Sequence, residues 1–466
     1  MPWRDTMEPA RMERIAVVAP TNRIRPALVA LGAQGCVEPE LLTRAAGPAE
    51  AALQRVQARV PGKAAAPVVS PEPPDLEILE RDGDDETIAG EVELERVDGS
   101  MIREGSVATL AGWVPAGAVE GLATALAPHG AGIVRLAIPR GSQPPTYLRS
   151  TSASVAFQPL VNTYGTVPYA DLNPSVLAGI AYVVMFGMMF GDAGQGLLLL
   201  LVGVAVAWFP RGPMVALRKY RWTAPFVIGA GLASVGFGFA FGEAFGPTGL
   251  VPTLWLRPLD HATTLLAVSV AIGAVILACS YTLGALNRFR EGGVARSLVA
   301  LSGLAGAALY LGLGIAGAGW YWHRVAIVLT GASVTVVALA LGFLGLFAES
   351  GGRASGALEA GVELFDAVLR LGTNTVSFAR LAAFGLTHAA LSALVWSGTA
   401  SLWHRGGALG VGGAVVVFAI GNTVTFALEA LVAGVQALRL EYYEIFSRVF
   451  TTEGREFHPW HVNVRQ

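Results

Sequence analysis

Two arginines lie inside long apolar stretches of this sequence, and they are its most informative candidates for chemistry. Arg380 follows Ser377-Phe-Ala, and Arg439 follows Gln436-Ala-Leu. Moving a guanidinium to the centre of a membrane helix costs about 2.5–3.5 kcal/mol on insertion scales. Arginine keeps its charge at any biological pH, so it cannot lower this cost by losing a proton. Each arginine therefore predicts an anionic partner.

The polar residues near Arg380 predict one polar stripe along their helix. At about 100° per residue, Ser377, Arg380 and His388 share a broad face with Thr373 and Thr387. His388 could simply line the helix bundle, or it could relay protons.

The last apolar stretch carries a second stripe. Glu429 and Gln436 are two turns apart and lie almost one above the other, with Arg439 about one turn further on. Arg380 and Glu429 could neutralise each other inside the bundle. Two arginines facing one mid-span glutamate would still leave positive charge, which favours a carboxylate supplied by another molecule.

The remaining candidates for chemistry are few. Asp192 and Glu243 are expected to anchor a hairpin and a helix end rather than to line a pathway. No Cys/His cluster has metal-site spacing, and Gly62-Lys63 fails the phosphate-loop pattern, so we expect no metal, cofactor or bound ATP. No basic tract suggests nucleic acid.

Composition divides the chain into two parts. Of its 466 residues 53% are hydrophobic, a membrane composition. Residues 1–150 hold 15 Lys+Arg against 20 Asp+Glu, whereas residues 151–466 hold 17 against 14. We therefore predict a cytosolic α/β domain at 1–150 and a transmembrane domain at 151–466.

The second part predicts eight transmembrane helices, of which the last two are long and tilted. The expected spans are residues 175–190, 193–209, 223–245, 262–286, 296–317, 324–347, 373–401 and 409–438. Gly191-Asp192 separates the first two, which predicts a tight hairpin. Loops on the side of the termini are richer in arginine and lysine, so both termini are predicted to be cytoplasmic in a prokaryotic cell membrane.

Residues 1–150 predict a small α/β domain. Ile15–Ala19 and 107–114 are expected to be strands, and 26–31, 40–60 and 119–126 helical. The segment Leu76-Glu-Ile-Leu alternates and is also predicted to be a strand, after a Pro/Ala linker at 61–74.

Several motifs in one order over about 105–460 resemble subunit a (subunit I) of the V-type/A-type rotary ATPases. They are Gly-Trp-Val-Pro (112–115), Pro-Pro-Thr-Tyr (144–147), Phe157-Gln-Pro, Asn-Thr-Tyr-Gly (162–165), Phe-Gly-Met-Met-Phe-Gly-Asp (186–192), Phe-Gly-Glu-Ala-Phe-Gly (241–246), Ser377-Phe-Ala-Arg-Leu, Ala437-Leu-Arg-Leu-Glu-Tyr and Glu-Gly-Arg-Glu-Phe-His-Pro (453–459).

This resemblance implies roles for particular residues. Arg380 and Arg439 would be the two membrane arginines, Glu429 the acidic group of the last span, and His388 the histidine after the first motif. Many relatives have a histidine where this chain has Gln436, and a neutral amide cannot relay charge there. The family also has a longer cytosolic region with a coiled coil, whereas no long heptad run precedes the membrane region here.

The resemblance implies a non-nucleotide-binding stator subunit that couples proton or sodium translocation to ATP hydrolysis or synthesis. Its partners would be the proteolipid c/K ring, the peripheral stalk E/G subunits, the central stalk, the V1/A1 catalytic subunits and membrane lipid. Two half-channels would serve a ring carboxylate that meets the arginines. Two alternatives stay open: a stand-alone secondary transporter and a non-catalytic adaptor paralogue with a short arm.

Overall fold

The computed structural model describes most of the chain as two compact units. It covers residues 8–41, 48–59, 67–139, 141–148, 157–158, 160–161, 165–208, 221–300, 303–350, 354–449 and 454–465. Residues 61–66 of the predicted linker and the Asn-Thr-Tyr part of the 162–165 motif lie outside these residues. The first unit comprises residues 1–149, 166–169 and 454–466, and the second comprises 150–165 and 170–453. The predicted division at residue 150 stays a prediction.

The first unit contains a five-stranded antiparallel sheet with helices, so the small N-terminal α/β region is confirmed. Its elements are β1 Met12–Pro20, α1 Ile24–Gln34, β2 Glu38–Pro39, α2 Pro48–Arg59, β3 Val68–Val69, α3 Leu76–Asp82, α4 Asp85–Asp98, β4 Ile102–Glu104, β5 Val107–Pro115, α5 Val119–Leu126 and β6 Gly132–Arg135. The strands of the sheet are ordered β2-β5-β1-β6, with β4 also paired to β5.

The strand predicted at 76–79 is wrong, because these residues form helix α3. Asp75 caps the helix with a side chain that accepts a hydrogen bond from the Glu77 backbone at 2.9 Å. Gly83 ends it in the left-handed conformation with φ 71°. Ile78 is 47% exposed, so its alternation with polar neighbours does not correspond to a buried sheet face. Local capping decides this segment.

The C-terminal segment completes the first unit. Strand β7, Asn463–Val464, pairs in parallel with β3. Trp460 and Val462 are buried in the same hydrophobic core as Ile15 and Leu28. The fold of this unit therefore uses the two ends of the sequence together.

The second unit is helical and apolar, as predicted. In the described residues, six helical segments are long and apolar enough to cross a membrane, with Gly356–Arg405 counted as one segment although it contains two helices, and two shorter apolar helices precede them. The helices are α6 Ser175–Met189, α7 Ala193–Trp208, α8 Ala224–Phe241, α9 Ala262–Val299, α10 Leu304–Tyr321, α11 Val325–Glu349, α12 Ala354–Ser377, α13 Ala379–Arg405 and α14 Gly407–Leu440.

The chain reverses direction between α6 and α7, at the break predicted from Gly191-Asp192. The two helices pack against α8 rather than along each other, so the expected tight hairpin is not formed. Close contacts explain the small residues here: a Cβ on Gly196 would come within 2.8 Å of Ser234, and one on Gly203 within 2.9 Å of Ile228. Glycine lets these backbones approach one another.

The last two apolar segments carry both arginines. Helix α12 ends at Ser377 and α13 begins at Ala379, so a local break lies just before Arg380. Helix α14 runs into a π-helical turn, Glu441–Phe446, and helical structure then continues as α15, Ser447–Val449. Helices α13 and α14 pack against each other, which positions the two predicted stripes.

Candidate functional site

The site begins with a buried pair that joins the two predicted stripes. The imidazole Nδ1 of His388 on α13 is hydrogen-bonded to the carboxylate Oε2 of Glu429 on α14. Only 2% of His388 and 8% of Glu429 is exposed. Phe190 covers the imidazole, with ring centroids 5.2 Å apart. Glu429 is therefore engaged with His388, and it is not the ion-pair partner of Arg380 that one reading of the sequence allowed.

Asp192 has a structural position beside this pair. Its Oδ1 accepts hydrogen bonds from the backbone N–H groups of Gln195 at 2.8 Å and Phe245 at 2.9 Å. Its Oδ2 accepts one from the Gly246 N–H at 2.9 Å. The carboxylate thus caps α7 and holds the turn that follows α8.

That turn needs the support of Asp192. Phe245 has φ 53° and Gly246 has φ 92°, so two consecutive residues adopt left-handed backbone. A Cβ on Gly246 would come within 2.8 Å of the Ser392 carbonyl oxygen on α13. Glycine is required there both by conformation and by close approach. The expectation that Asp192 anchors a helix connection agrees with these bonds.

Glu243 lies at the end of α8 and extends the buried cluster. Ligand atoms of Asp192, Glu243 and His388 lie within 4.8 Å of one another, and all three residues are buried. Oε2 of Glu243 and Nε2 of His388 have no hydrogen-bond partner in the described part of the chain. Because Asp192 already accepts three backbone hydrogen bonds, Glu243 and His388 are the members with capacity to exchange a proton.

A cavity of about 210 Å³ reaches Glu243 from the loop between α8 and α9. Charged residues Arg257 and Asp260 line it together with Glu243, and Ala389 contributes the wall next to His388. From the sequence we expected Glu243 to anchor a helix end. Its position beside His388 at a polar cavity could not be predicted from the spacing of residues along the chain. The sequence indicated this position only by placing an acidic residue in an otherwise apolar stretch.

Arg380 lies near the opposite end of α13 from this cavity. Eight residues separate it from His388, or about 12 Å along a helix at 1.5 Å per residue. Its side chain is half-buried, and Nη1 is buried with no partner among the described residues. Ser377, on the preceding turn, donates its hydroxyl to the Thr373 carbonyl at 3.1 Å.

Arg439 is exposed on α14, in line with apolar side chains that are exposed too. These side chains are spaced three or four residues apart, so they form one continuous stripe, the α14 stripe: Ile420, Val424, Leu428, Leu431 and Val435. Gln436, half-buried, has a buried Oε1 without a partner in the described residues. A guanidinium in an apolar stripe is costly in lipid, so this face is suited to a protein surface that carries an anion.

The fold and the site define a helical membrane protein that carries ionisable side chains inside its apolar helices, where such groups commonly mark ion or substrate pathways. Comparisons with known proteins show which family this chain is similar to. A model of the V-type ATPase 116kDa subunit family matches residues 100–219. The chain is 24% identical to the A-type ATP synthase subunit I of Pyrococcus horikoshii over 77% of this chain and 54% of that protein. It is 25% identical to the Archaeoglobus fulgidus A-type ATP synthase subunit I over 75% and 58%.

A human relative shows the same likeness over a shorter region: the V-type proton ATPase 116 kDa subunit a 3 is 32% identical over 27% of this chain and 16% of its own length. Over about three quarters of its length the chain is therefore similar to the V-type ATPase 116 kDa subunit a / A-type ATP synthase subunit I family. It spans about half the length of the curated relatives it matches. The roles of Arg380, Arg439, Glu429, His388, Gln436 and Ser377 stay predictions.

Proposed function

We propose that this chain is the membrane stator of a V/A-type rotary ATPase and that it carries ions past a ring of proteolipid subunits. The observation that carries this proposal is positive charge on α13 and α14 that forms no ion pair within the described residues. Arg439 is exposed on the α14 stripe, and Arg380 has a buried nitrogen without a partner in the described residues. A carboxylate on a rotating partner would supply the missing anion.

The mechanism follows from the cost of charge in lipid. A ring carboxylate surrounded by lipid favours its neutral, ion-loaded form because burial penalises the charged form. Opposite Arg380 and Arg439 it favours the ionised form and releases its ion. Before it returns to lipid, it takes up another ion from the opposite side of the membrane. The fixed cations between the two access routes also repel ions that would leak directly between them.

The buried acid–imidazole cluster is a candidate for one of these access routes. The cavity at Glu243 leads towards His388, which is bonded to Glu429 on the neighbouring helix. Glu429 precedes Arg439 by ten residues, or about 15 Å along the helix. A route through Glu243, His388 and Glu429 would therefore reach the ring from the loop side. We propose that all eight apolar segments, with α12 and α13 counted as one, cross the membrane, with both termini cytoplasmic and the last two segments tilted.

The test is an Arg380→Ala variant in the assembled complex, with Arg405→Ala as its control. Arg405 is exposed at the far end of α13, so the control removes the same side chain from the same helix. We expect Arg380→Ala to co-purify with the proteolipid ring and the catalytic and stalk subunits, and to lose ATP-driven ion transport. The control should retain both the co-purifying subunits and ATP-driven ion transport. Near-normal transport by Arg380→Ala would overturn the proposal.

The same purification separates the alternatives. A stand-alone transporter predicts transport by the isolated chain in vesicles without a ring. A non-catalytic adaptor predicts a ring-bound chain in which replacing either arginine leaves transport unchanged. Proton and sodium gradients are measured separately, since a ring carboxylate can carry either ion.

A further inference from the structure

The buried cluster of Asp192, Glu243 and His388 has the ligand types of a zinc site. One ligand atom of each residue lies within 4.8 Å of those of the other two. Asp192 precedes α7, Glu243 follows α8 and His388 lies within α13, so only the folded chain brings them together and their spacing gave no metal motif. Two carboxylates and an imidazole suit zinc better than Mg²⁺ or Ca²⁺, which prefer oxygen ligands alone.

His388 is held as metal-binding histidines are usually held. Its Nδ1 is hydrogen-bonded to the Glu429 carboxylate, and its Nε2 is buried without a hydrogen-bond partner in the described part of the chain. A histidine that binds a metal almost always donates its other ring N–H to a carboxylate, a carbonyl or water, which fixes the tautomer and the ring orientation. A neutral His388 that donates from Nδ1 keeps a free lone pair on Nε2, the atom that would bind the metal.

Glu243 provides the second free ligand atom. The residue is only 6% exposed, and its Oε2 has no hydrogen-bond partner among the described residues. Its backbone is fixed, because its N–H donates to the Gly238 carbonyl at 3.0 Å and its carbonyl accepts from the Ala193 N–H at 2.8 Å. Zinc bonds of about 2.0–2.2 Å hold tetrahedral ligands about 3.3–3.5 Å apart, so the three atoms need to approach one another by at most about 1.5 Å. Rotation of the Glu243 side chain can provide this approach.

Asp192 completes the three ligands from a rigid position. Its carboxylate accepts three backbone hydrogen bonds and has about four lone-pair positions, so one position is left for a metal. Two carboxylates buried among apolar helices are costly unless they are paired or bind a cation, and one divalent ion would neutralise both. The cavity of about 210 Å³ at Glu243 gives a path to the site and room for a water molecule as the fourth ligand.

We propose that Asp192, Glu243 and His388 bind one zinc ion, which enters through the cavity between α8 and α9. Glu243 and His388 are also the two groups with capacity to exchange a proton on the proposed access route. A bound zinc ion would occupy both of them and block that route, so zinc supplied from the loop side would inhibit ion transport. Zinc binding follows from the geometry of the cluster alone, whereas the inhibition rests on the proposed function.

Zinc binding to the purified chain in detergent, after metals have been removed with a chelator, tests the site. Titration calorimetry should show one tightly bound zinc ion that Mg²⁺ does not displace. Replacing the outer partner of a metal ligand typically weakens binding about 10–100-fold, so we expect this loss for Glu429→Gln and at least about a hundredfold loss for Glu243→Gln and His388→Gln. Glu441→Gln is the matched control, because it changes a fully buried carboxylate outside the cluster, and its zinc affinity should be unchanged.

Thermal unfolding separates the loss of a ligand from the loss of the fold. Without zinc, the Tm of each variant shows whether it is folded. Zinc should raise the Tm of the unmodified chain and of Glu441→Gln, but not that of Glu243→Gln, because a ligand stabilises the folded state that binds it. The proposal is overturned if the unmodified chain binds no zinc, or if Glu243→Gln and His388→Gln bind it as tightly as Glu441→Gln does.

Transport by the assembled complex tests the inhibition. The loop side faces the interior of inverted membrane vesicles, so zinc is enclosed there, and matched vesicles enclose zinc with an excess of chelator. At about ten times its Kd, enclosed zinc should lower ATP-driven transport about tenfold, and the chelator should restore the full rate. If zinc binds as predicted and transport is unchanged, the blocked route is wrong and the metal site stands. Normal pumping by Arg380→Ala would overturn the stator function without changing zinc binding.

Discussion

Replacing Asp192 tests whether its carboxylate anchors the connection between helices beside Glu243 and His388. In Asp192→Ala, three buried backbone N–H groups lose their acceptor: those of Gln195, Phe245 and Gly246. At roughly 1.5 kcal/mol for each hydrogen bond to a charged group, the free energy of unfolding should fall by about 4–5 kcal/mol. The strained turn at Phe245 and Gly246 makes full relaxation difficult, because its left-handed backbone depends on these bonds.

Asp192→Asn should be intermediate, because its single carbonyl oxygen can accept the two bonds now made by Oδ1 but leaves the Gly246 N–H without an acceptor. We expect a loss of about 2 kcal/mol. Asp260→Asn is the control: Asp260 is exposed and lines the same cavity, so its change should stay within about 0.5 kcal/mol.

Thermal unfolding of the purified chain in detergent, followed by tryptophan fluorescence, measures the series. Using about 2 °C per kcal/mol for a large unit, Asp192→Ala should lower Tm by about 8–10 °C. The order should be Ala below Asn below the unmodified chain. A decrease in stability of less than about 1 kcal/mol for Asp192→Ala would refute the anchoring role.

Three further predictions concern other parts of the chain. Glu429→Gln should reduce ATP-driven transport at least tenfold with the ring still bound, because the acid partner of His388 is lost; transport above half the normal rate would contradict the proposed route. The hydrogen bonds from Arg14 hold the pKa of Glu40 below its usual value, so this pair stabilises the first unit above the unfolded pKa and the effect is lost as pH falls through the lowered pKa. The difference in Tm between Glu40→Gln and the unmodified chain should therefore be full at neutral pH and should shrink as pH falls below the usual glutamate pKa of about 4.3; a difference independent of pH would refute it. Trp460→Ala should destabilise the first unit by about 3–5 kcal/mol, measured by denaturant unfolding, and a change under about 1 kcal/mol would show that the C-terminal segment does not support this core.

Much of the helical unit could be predicted from apolar length alone. Stretches of about twenty apolar residues have few stable conformations in a membrane other than helix, and the break at Gly191-Asp192 was visible as two residues that interrupt them. The prediction was less successful at 76–79, where four alternating residues suggested a strand and the Asp75 cap produced a helix. A short alternating pattern cannot outweigh local capping when no sheet face receives its apolar residues.

The site was predictable as a set of residue types and as two stripes, but not as a set of contacts. Residue spacing placed His388 on the polar stripe of one helix and Glu429 on the polar stripe of the next helix. The packing of the two helices then brought the two side chains together.

The sequence by itself determined that this chain has a charged N-terminal domain, a series of apolar helices and two arginines that need an anion. These follow from composition and from the cost of a permanent charge in lipid, which do not depend on how helices pack. Only the tertiary structure decided that Glu429 bonds to His388 and that Asp192 is occupied by backbone N–H groups. It also decided that the C-terminal segment completes the first unit. Such pairings are set by which helix faces and strand edges meet, and residues far apart in sequence meet only when the whole chain is folded.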